Sequence, residues 1–203
     1  MSKTKMTSRQ KTVLLAENAM LTAVIILMSF TPLGYLQIGP SPKMTLIMIP
    51  VVVGAITLGP TTGAFLGFVF GATSFIQCFG LDAFGTTLLG INPVFTFIMC
   101  FVPRILMGYL CGLIFKGIAK FNKPVGYMVA SLGGAILNTV FFMGALILFF
   151  GRTDYIMGFR GELNIFAFLI AFVGLQGLLE IIACAVIGAP VAAGIDAAVK
   201  RLK

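Results

Sequence analysis

The sequence predicts an all-α integral membrane protein in which six transmembrane helices form a compact bundle, with both termini in the cytoplasm. Hydrophobic residues make up 59% of the 203 residues, charged residues make up only 10%, and the mean hydropathy is +1.09. Soluble chains are roughly 25% charged, so lipid must be the solvent for most of this chain. A membrane helix needs about 20 apolar residues, which leaves no room for an ordinary soluble domain. We therefore expect residues 1–203 to form a single membrane domain.

Turn residues and helix caps divide the apolar sequence into spans. Gly59 and Pro60 predict a tight turn between the second and third spans. Asn92 and Pro93 predict the start of the fourth span, because asparagine caps helices and proline suits the first helical position. Loops are predicted at 32–43, 79–91 and 151–162. The six spans are predicted at about 13–31, 44–58, 61–78, 92–115, 125–150, and from 163 into a helical tail.

The distribution of lysine and arginine predicts the orientation. Ten of these residues lie in the polar segment 1–12, in 116–123 and in the tail at about 194–203, whereas the opposite loops hold three. Cytoplasmic loops carry the excess of basic residues, so both termini are expected in the cytoplasm. This explanation also accounts for the net charge of +8 without a nucleic-acid partner.

Several kinds of chemistry have no sequence signal. The chain has no histidine, which removes the usual general base and the commonest metal ligand. It has no GxxxxGK[ST] loop for nucleotide phosphates, and its four cysteines are not at metal or CxxC spacing. We expect neither a metal nor a cofactor. A chain without its own nucleotide site would depend on another subunit for any step that consumes ATP.

Small residues four positions apart predict close helix contacts, because helices in lipid associate through small side chains. One alternative is packing within this chain's own bundle, and the other is docking of a partner membrane protein. Ala19 and Ala23 are the better docking candidates, since the first span of a small bundle often lies on its outside. The other motifs of this kind are Gly63, Gly67 and Gly71 in the third span and Gly108 and Gly112 in the fourth.

Polar side chains at membrane depth predict a site or a buried pair, because they are costly in hydrocarbon. Arg104 lies near mid-depth in the fourth span at ~1.5 Å per residue, Asn138 in the middle of the fifth, and Glu180 near the middle of the sixth. We predict that Arg104 faces Glu180. The pair is either a structural ion pair that stabilises the bundle or the floor of a ligand cavity in which Arg104 binds a carboxylate.

A second polar group is predicted nearer the outside, where it would line a cavity capped by residues 32–43. The alternative explanation is that these residues cap helices or belong to ordinary loops, and it accounts well for Asn92. With Arg104 and Asn138, the candidate substrate-binding residues are Gln77, Asn92, Asn164, Tyr35, Lys43 and Arg152.

These segments together resemble the substrate-binding (S) component of an energy-coupling factor (ECF) vitamin transporter. The resemblance covers most of the chain. It rests on six spans in about 200 residues, on Ala19-xxx-Ala23, and on the order of the segments PLGYLQIG, MTLIMIPVVVGAITLGPTTGAFLGFVFG and NPVF…VPRILMGYLCGLIF. The pantothenate and generic ECF S-component group is the most similar.

The resemblance implies a subunit that binds a small water-soluble vitamin from outside, under the loop between the first two helices. It implies docking through the AxxxA helix on a transmembrane coupling protein driven by two cytoplasmic ATPases. Pantothenate is the preferred vitamin, because the basic outer residues suit a small anion. Riboflavin, folate and cobalamin remain open, while the absence of tryptophan argues against thiamine.

Two hypotheses from other classes are a membrane enzyme and a structural or assembly protein without a ligand. The enzyme hypothesis has only Asp82, Asp154 and Glu162 as outer carboxylates, all in segments of turn composition.

Overall fold

The computed structural model describes residues 8–36, 44–161 and 163–201. Lys43, Glu162 and most of the predicted cap at 32–43 lie outside the described residues, as do 1–7 and 202–203. For Tyr35 only the backbone is described.

Helices form most of the described chain. In chain order they are α1 (Ser8–Ser29), α2 (Met48–Leu58), α3 (Pro60–Gln77), α4 (Ala83–Ile91), α5 (Pro93–Ile118), α6 (Lys123–Phe150), α7 (Asp154–Arg160), α8 (Ile165–Ala183) and α9 (Ala189–Arg201). A 3-10 turn, Pro32–Gly34, follows α1, and a π-helical turn, Cys184–Gly188, joins α8 to α9.

The helices of this all-α fold are accompanied by one antiparallel pair of two-residue strands. Strand β1 (Tyr35–Leu36) pairs with β2 (Met44–Thr45), with Tyr35 opposite Thr45. The pair brings together the two ends of the segment between α1 and α2, so β2 occupies the beginning of the run predicted as the second span.

Four helical segments among the described residues are long and apolar enough to cross a membrane. The helix α2 is shorter, with 11 residues, or about 16 Å at 1.5 Å per residue. Most of its residues are buried in the bundle, so the second predicted span contains a short helix surrounded by the others. The four long segments are Lys11–Ser29, Pro93–Ile118, Lys123–Phe150 and Gly177–Ala198.

Two segments predicted as loops contain short helices. The α4 helix forms in the glycine-containing segment after α3, where Asp82 caps it by accepting a hydrogen bond from the Gly85 amide at 2.9 Å. Leu88 of α4 is fully buried. The α7 helix forms between α6 and α8, capped by Thr153. Glycine composition predicts loops here, but burial of apolar side chains favours helix.

The predicted turn and cap are confirmed. Gly59 ends α2 with φ of 104°, a conformation that glycine adopts without steric cost. Asn92 caps α5, since its side-chain oxygen accepts from the Val94 and Phe95 amides at 3.1 Å each. Proline at the first helical position follows as predicted.

The packing of α3 against α5 is the most extensive helix contact in the described chain. A Cβ added to Gly63 would lie 2.3 Å from the carbonyl oxygen of Gly108, and one added to Gly67 would lie 2.2 Å from that of Arg104. Gly71 similarly meets the carbonyl oxygen of Cys100, at 2.8 Å. These glycines therefore pack the chain's own bundle, the first of the two alternatives.

Replacing Gly67 by alanine is expected to destabilise the protein by about 1–3 kcal/mol, the usual cost of overpacking. The added methyl group would meet backbone atoms of α5, which cannot rotate away as a side chain can. Thermal unfolding in detergent is the measurement. Gly117→Ala on α5 is the control, because its added Cβ meets nothing within 4 Å. Equal stability of both variants would contradict the packing.

The two ends of the bundle differ in character. Ser29 at the end of α1 donates to Thr73 near the end of α3 at 2.9 Å, so these two helices point the same way. Asp196 of α9 accepts from Lys123 at 2.7 Å and from Tyr127 at 2.6 Å, at the start of α6. The start of α1, the end of α5, the start of α6 and the end of α9 therefore share one end, which we call the basic end.

Candidate functional site

A cavity of about 130 Å³ opens among α3, α4, α5, α6, α8 and β2, toward the end of the bundle opposite the basic end. It has room for roughly ten water-sized groups, at 10–15 Å³ each. Its lining residues are Thr45, Phe70, Ser74, Gln77, Cys78, Asp82, Phe84, Gly85, Met99, Cys100, Arg104, Asn138, Thr139, Phe142, Met143, Gly177 and Glu180.

Arg104 of α5 is the cation of this cavity and is 9% exposed. Its Nη1 donates to the Met99 carbonyl oxygen at 2.7 Å. Its guanidinium carbon lies 4.7 Å from the ring centre of Phe142 and 5.4 Å from that of Phe70. The two rings hold the guanidinium by cation–π attraction, while its Nε atom is buried without a hydrogen-bond partner.

Asn138 of α6 provides a neutral polar group in the same cavity. Its side chain is buried, and its Oδ1 atom has no hydrogen-bond partner. Buried polar atoms are nearly always satisfied, so an unpaired acceptor and the unpaired Nε of Arg104 in one cavity indicate a place for a polar ligand or water.

Glu180 of α8 also lines the cavity, but its partner is the peptide backbone. Its Oε1 accepts a hydrogen bond from the Thr45 amide of β2 at 2.7 Å. Among the described residues, no ion pair within 4 Å joins Glu180 to Arg104. Each of these two side chains hydrogen-bonds a backbone group that the sequence pattern does not reveal, and that Arg104 faces Glu180 stays a prediction. Arg104, Asn138 and Glu180, which were predicted to lie at one level, all line this cavity.

Replacing Glu180 by alanine is expected to speed hydrogen exchange at the Thr45 amide, because that amide loses its acceptor. Glu180→Gln is the matched control, since glutamine keeps an acceptor oxygen in the same place and should retain much of the protection. Hydrogen exchange followed by peptide mass spectrometry measures both variants. Unchanged exchange in Glu180→Ala would show that the bond does not hold β2.

Gln77 lines the cavity and also ties α3 to α1, because its Nε2 donates to the Ser29 carbonyl oxygen. Three other predicted outer residues lie elsewhere. Asn92 and Asn164 cap α5 and α8, and Arg152 is exposed in the turn after α6. None of these three lines the cavity, so their prediction as substrate-binding residues is not supported by this geometry. The side chains of Asn92 and Asn164 cap helices instead.

The sequence analysis missed the aromatic and sulfur-containing part of the cavity wall. Phe70 and Phe142 are two of 20 phenylalanines, and nothing in their spacing distinguishes them from lipid-facing ones. Cys78 and Cys100 line the wall with their sulfur atoms 4.0 Å apart. Their separation in sequence gave no signal, although the antiparallel packing of α3 on α5 brings them together.

Ala19 and Ala23 lie on the exposed face of α1. Ile25 and Ser29 lie on the opposite face and are buried against the bundle. The alanines form a shallow strip between the protruding side chains of Leu15, Met20 and Leu27, which are 64–72% exposed.

No group of three histidine, cysteine, aspartate or glutamate side chains is placed to hold a metal ion within the described ranges.

The sequence profile of the family described as "ECF transporter, substrate-specific component" matches residues 14–192. The chain belongs to this family. It is therefore a substrate-binding component of an ECF transporter and a multi-pass membrane protein, and the cavity around Arg104 is the candidate substrate site of this S component.

Two curated relatives give a narrower comparison. The S component is 32% identical over 189 residues to "Pantothenate transporter PanT" of Leuconostoc mesenteroides, covering 86% of this chain and 88% of the relative. It is 32% identical over 155 residues to "Pantothenic acid transporter PanT" of Lactococcus lactis subsp. cremoris, covering 69% of this chain and 78% of the relative.

Proposed function

We propose that this S component binds pantothenate in the cavity around Arg104 and delivers it to an ATP-driven ECF importer. The observation that carries the proposal is the buried guanidinium of Arg104, which has an unpaired Nε in a cavity with room for a small molecule. The names of both relatives support the choice of vitamin.

Pantothenate offers groups that match the cavity. Its carboxylate would pair with the Arg104 guanidinium. Hydrogen bonds between charged groups are stronger than those between neutral groups, and the planar guanidinium can donate two parallel bonds to a carboxylate. Its hydroxyl and amide N–H groups would donate to Oδ1 of Asn138, which lacks a donor. Its geminal methyl groups would contact the apolar wall, where Phe70, Phe142 and Met143 lie.

Orientation and assembly complete the proposal. The chain would cross the cell membrane six times, with the basic end in the cytoplasm and the cavity toward the outside, in accordance with the excess of basic residues at one end. The segment between α1 and α2, in which Glu180 binds the Thr45 amide of β2, would cover the cavity. Ala19 and Ala23 would contact the transmembrane coupling protein, and two cytoplasmic ATPases would supply the energy. The described chain would act as one membrane domain.

Equilibrium binding to the purified S component tests the choice of vitamin. Pantothenate, riboflavin, folate and cobalamin are titrated separately, and thermal unfolding is recorded with each. We expect saturable binding and a raised midpoint with pantothenate only, since a ligand of the folded state stabilises it. Selective binding of another vitamin would replace pantothenate as the substrate. Failure to bind any of them would favour a protein without a ligand.

A further inference from the structure

Two of the four cysteines form a dithiol in the cavity wall. Cys78 caps the end of α3 and Cys100 lies in the second turn of α5, and their sulfur atoms are 4.0 Å apart. Both side chains are at most 4% exposed to the outer surface, but both line the cavity. A small polar molecule that enters the cavity therefore meets both sulfur atoms.

The sulfur atoms of this pair are close enough for a covalent link to need only a small movement. A disulfide has an S–S length of about 2.05 Å, so the sulfur atoms must approach by only about 2 Å. The two helices are in direct contact about two turns from Cys78, where Gly71 of α3 meets the backbone of Cys100 and Phe101. The Cys78 thiol also donates a hydrogen bond to the Ser74 carbonyl oxygen at 3.3 Å. Because a thiol is a weak donor, oxidation would give up little by breaking this bond.

The other two cysteines have different surroundings. Cys111 and Cys184 are fully buried, and neither lines the cavity around Arg104. The Cys111 thiol contacts the Ala130 carbonyl oxygen at 3.2 Å inside the helix packing. These residues supply internal controls for the reactivity of the cavity pair.

We propose that Cys78 and Cys100 are a modification site, a dithiol that a small two-electron oxidant converts to an intramolecular disulfide linking α3 to α5. Diamide, an azodicarboxamide, is the oxidant for the test. The two S–H bonds break, one S–S bond forms, and the two electrons and two protons reduce the N=N bond of diamide to a hydrazine. No other reactant is needed.

The test uses the full chain in detergent, reduced first and then treated with diamide. We expect a mass loss of two hydrogen atoms and a cross-linked peptide that contains Cys78 and Cys100. Cys78→Ser and Cys100→Ser should each prevent this product, whereas Cys111→Ser and Cys184→Ser should leave it unchanged. Wild-type protein that keeps four free thiols, or that links other cysteines, would overturn the proposal. Peptide mapping of the wild type decides this even where a variant fails to fold.

A second measurement locates the dithiol at the ligand site, and this part rests on the proposed function. Pantothenate at about a hundred times its Kd leaves roughly one site in a hundred empty, so disulfide formation should slow by about a hundredfold. An unchanged rate in protein that binds pantothenate would overturn this location. Absence of pantothenate binding would instead refute the proposed function, while the peptide map would still decide the dithiol.

Discussion

Replacing Arg104 by glutamine is expected to weaken pantothenate binding by about 2–5 kcal/mol, the usual cost of truncating one partner of a buried charged pair. This corresponds to roughly thirtyfold to several-thousandfold in Kd. Glutamine keeps polar atoms in the cavity but loses the charge that would meet the carboxylate. It also loses the cation–π contacts with Phe70 and Phe142. Isothermal titration of the purified variant is the measurement.

Arg104→Lys separates charge from geometry. Lysine keeps the positive charge but lacks the planar guanidinium. The affinity of Arg104→Lys for pantothenate should therefore lie between those of the wild type and Arg104→Gln. Lys120→Ala is the control, because it removes an exposed positive charge from the basic end and should leave affinity unchanged. Thermal unfolding without ligand shows whether each variant is folded. A folded Arg104→Gln with wild-type affinity would remove Arg104 from the substrate site.

Ala19→Leu and Ala23→Leu are expected to abolish pantothenate uptake by the assembled transporter while leaving pantothenate binding intact. Close helix contact in lipid depends on small side chains, and a leucine would hold the partner helix away from the exposed face of α1. Neither alanine lies near the cavity, which is formed by other elements. Uptake of labelled pantothenate in cells and affinity of the purified variant are measured together.

Gly144→Leu is the matched control for the docking variants. Gly144 is also a small, exposed residue in a long apolar helix, and its added Cβ meets nothing within 4 Å. Added bulk there should face lipid and leave uptake unchanged. Full uptake by Ala19→Leu and Ala23→Leu would exclude this face of α1 as the docking surface. Lost uptake in all three variants would point to a general effect of bulk on insertion.

Local sequence signals predicted much of the helical order. Asn92 with Pro93 predicted the start of α5, and Gly59 with Pro60 predicted the turn before α3, because caps and turns depend on residues only a few positions apart. Glycines at spacing four predicted close contact of α3, and the structure identifies α5 as the helix it meets. The strand pair at β1 and β2 had no such signal, since two-residue strands carry no periodicity.

The sequence predicted those residues of the candidate site that stand out as polar side chains within apolar spans. Arg104, Asn138 and Glu180 stood out because polar groups are rare at membrane depth, and all three line the cavity. Asn92 and Asn164 were equally polar but are used as helix caps. A capping asparagine and a ligand-binding asparagine look alike in sequence, and only the direction of the side chain distinguishes them.

The sequence by itself determined that this chain is a membrane protein, where most of its long helices lie, and which polar side chains are buried at a cost in free energy. Composition and local spacing carry that information, because hydrophobicity and capping act over one residue or one turn. Only the tertiary structure decided that Glu180 accepts a hydrogen bond from the Thr45 amide, that two phenylalanine rings flank the guanidinium of Arg104, and that Cys78 meets Cys100. These partners are distant in sequence, and the rotation and depth of each packed helix, which no local pattern encodes, determine which of them meet.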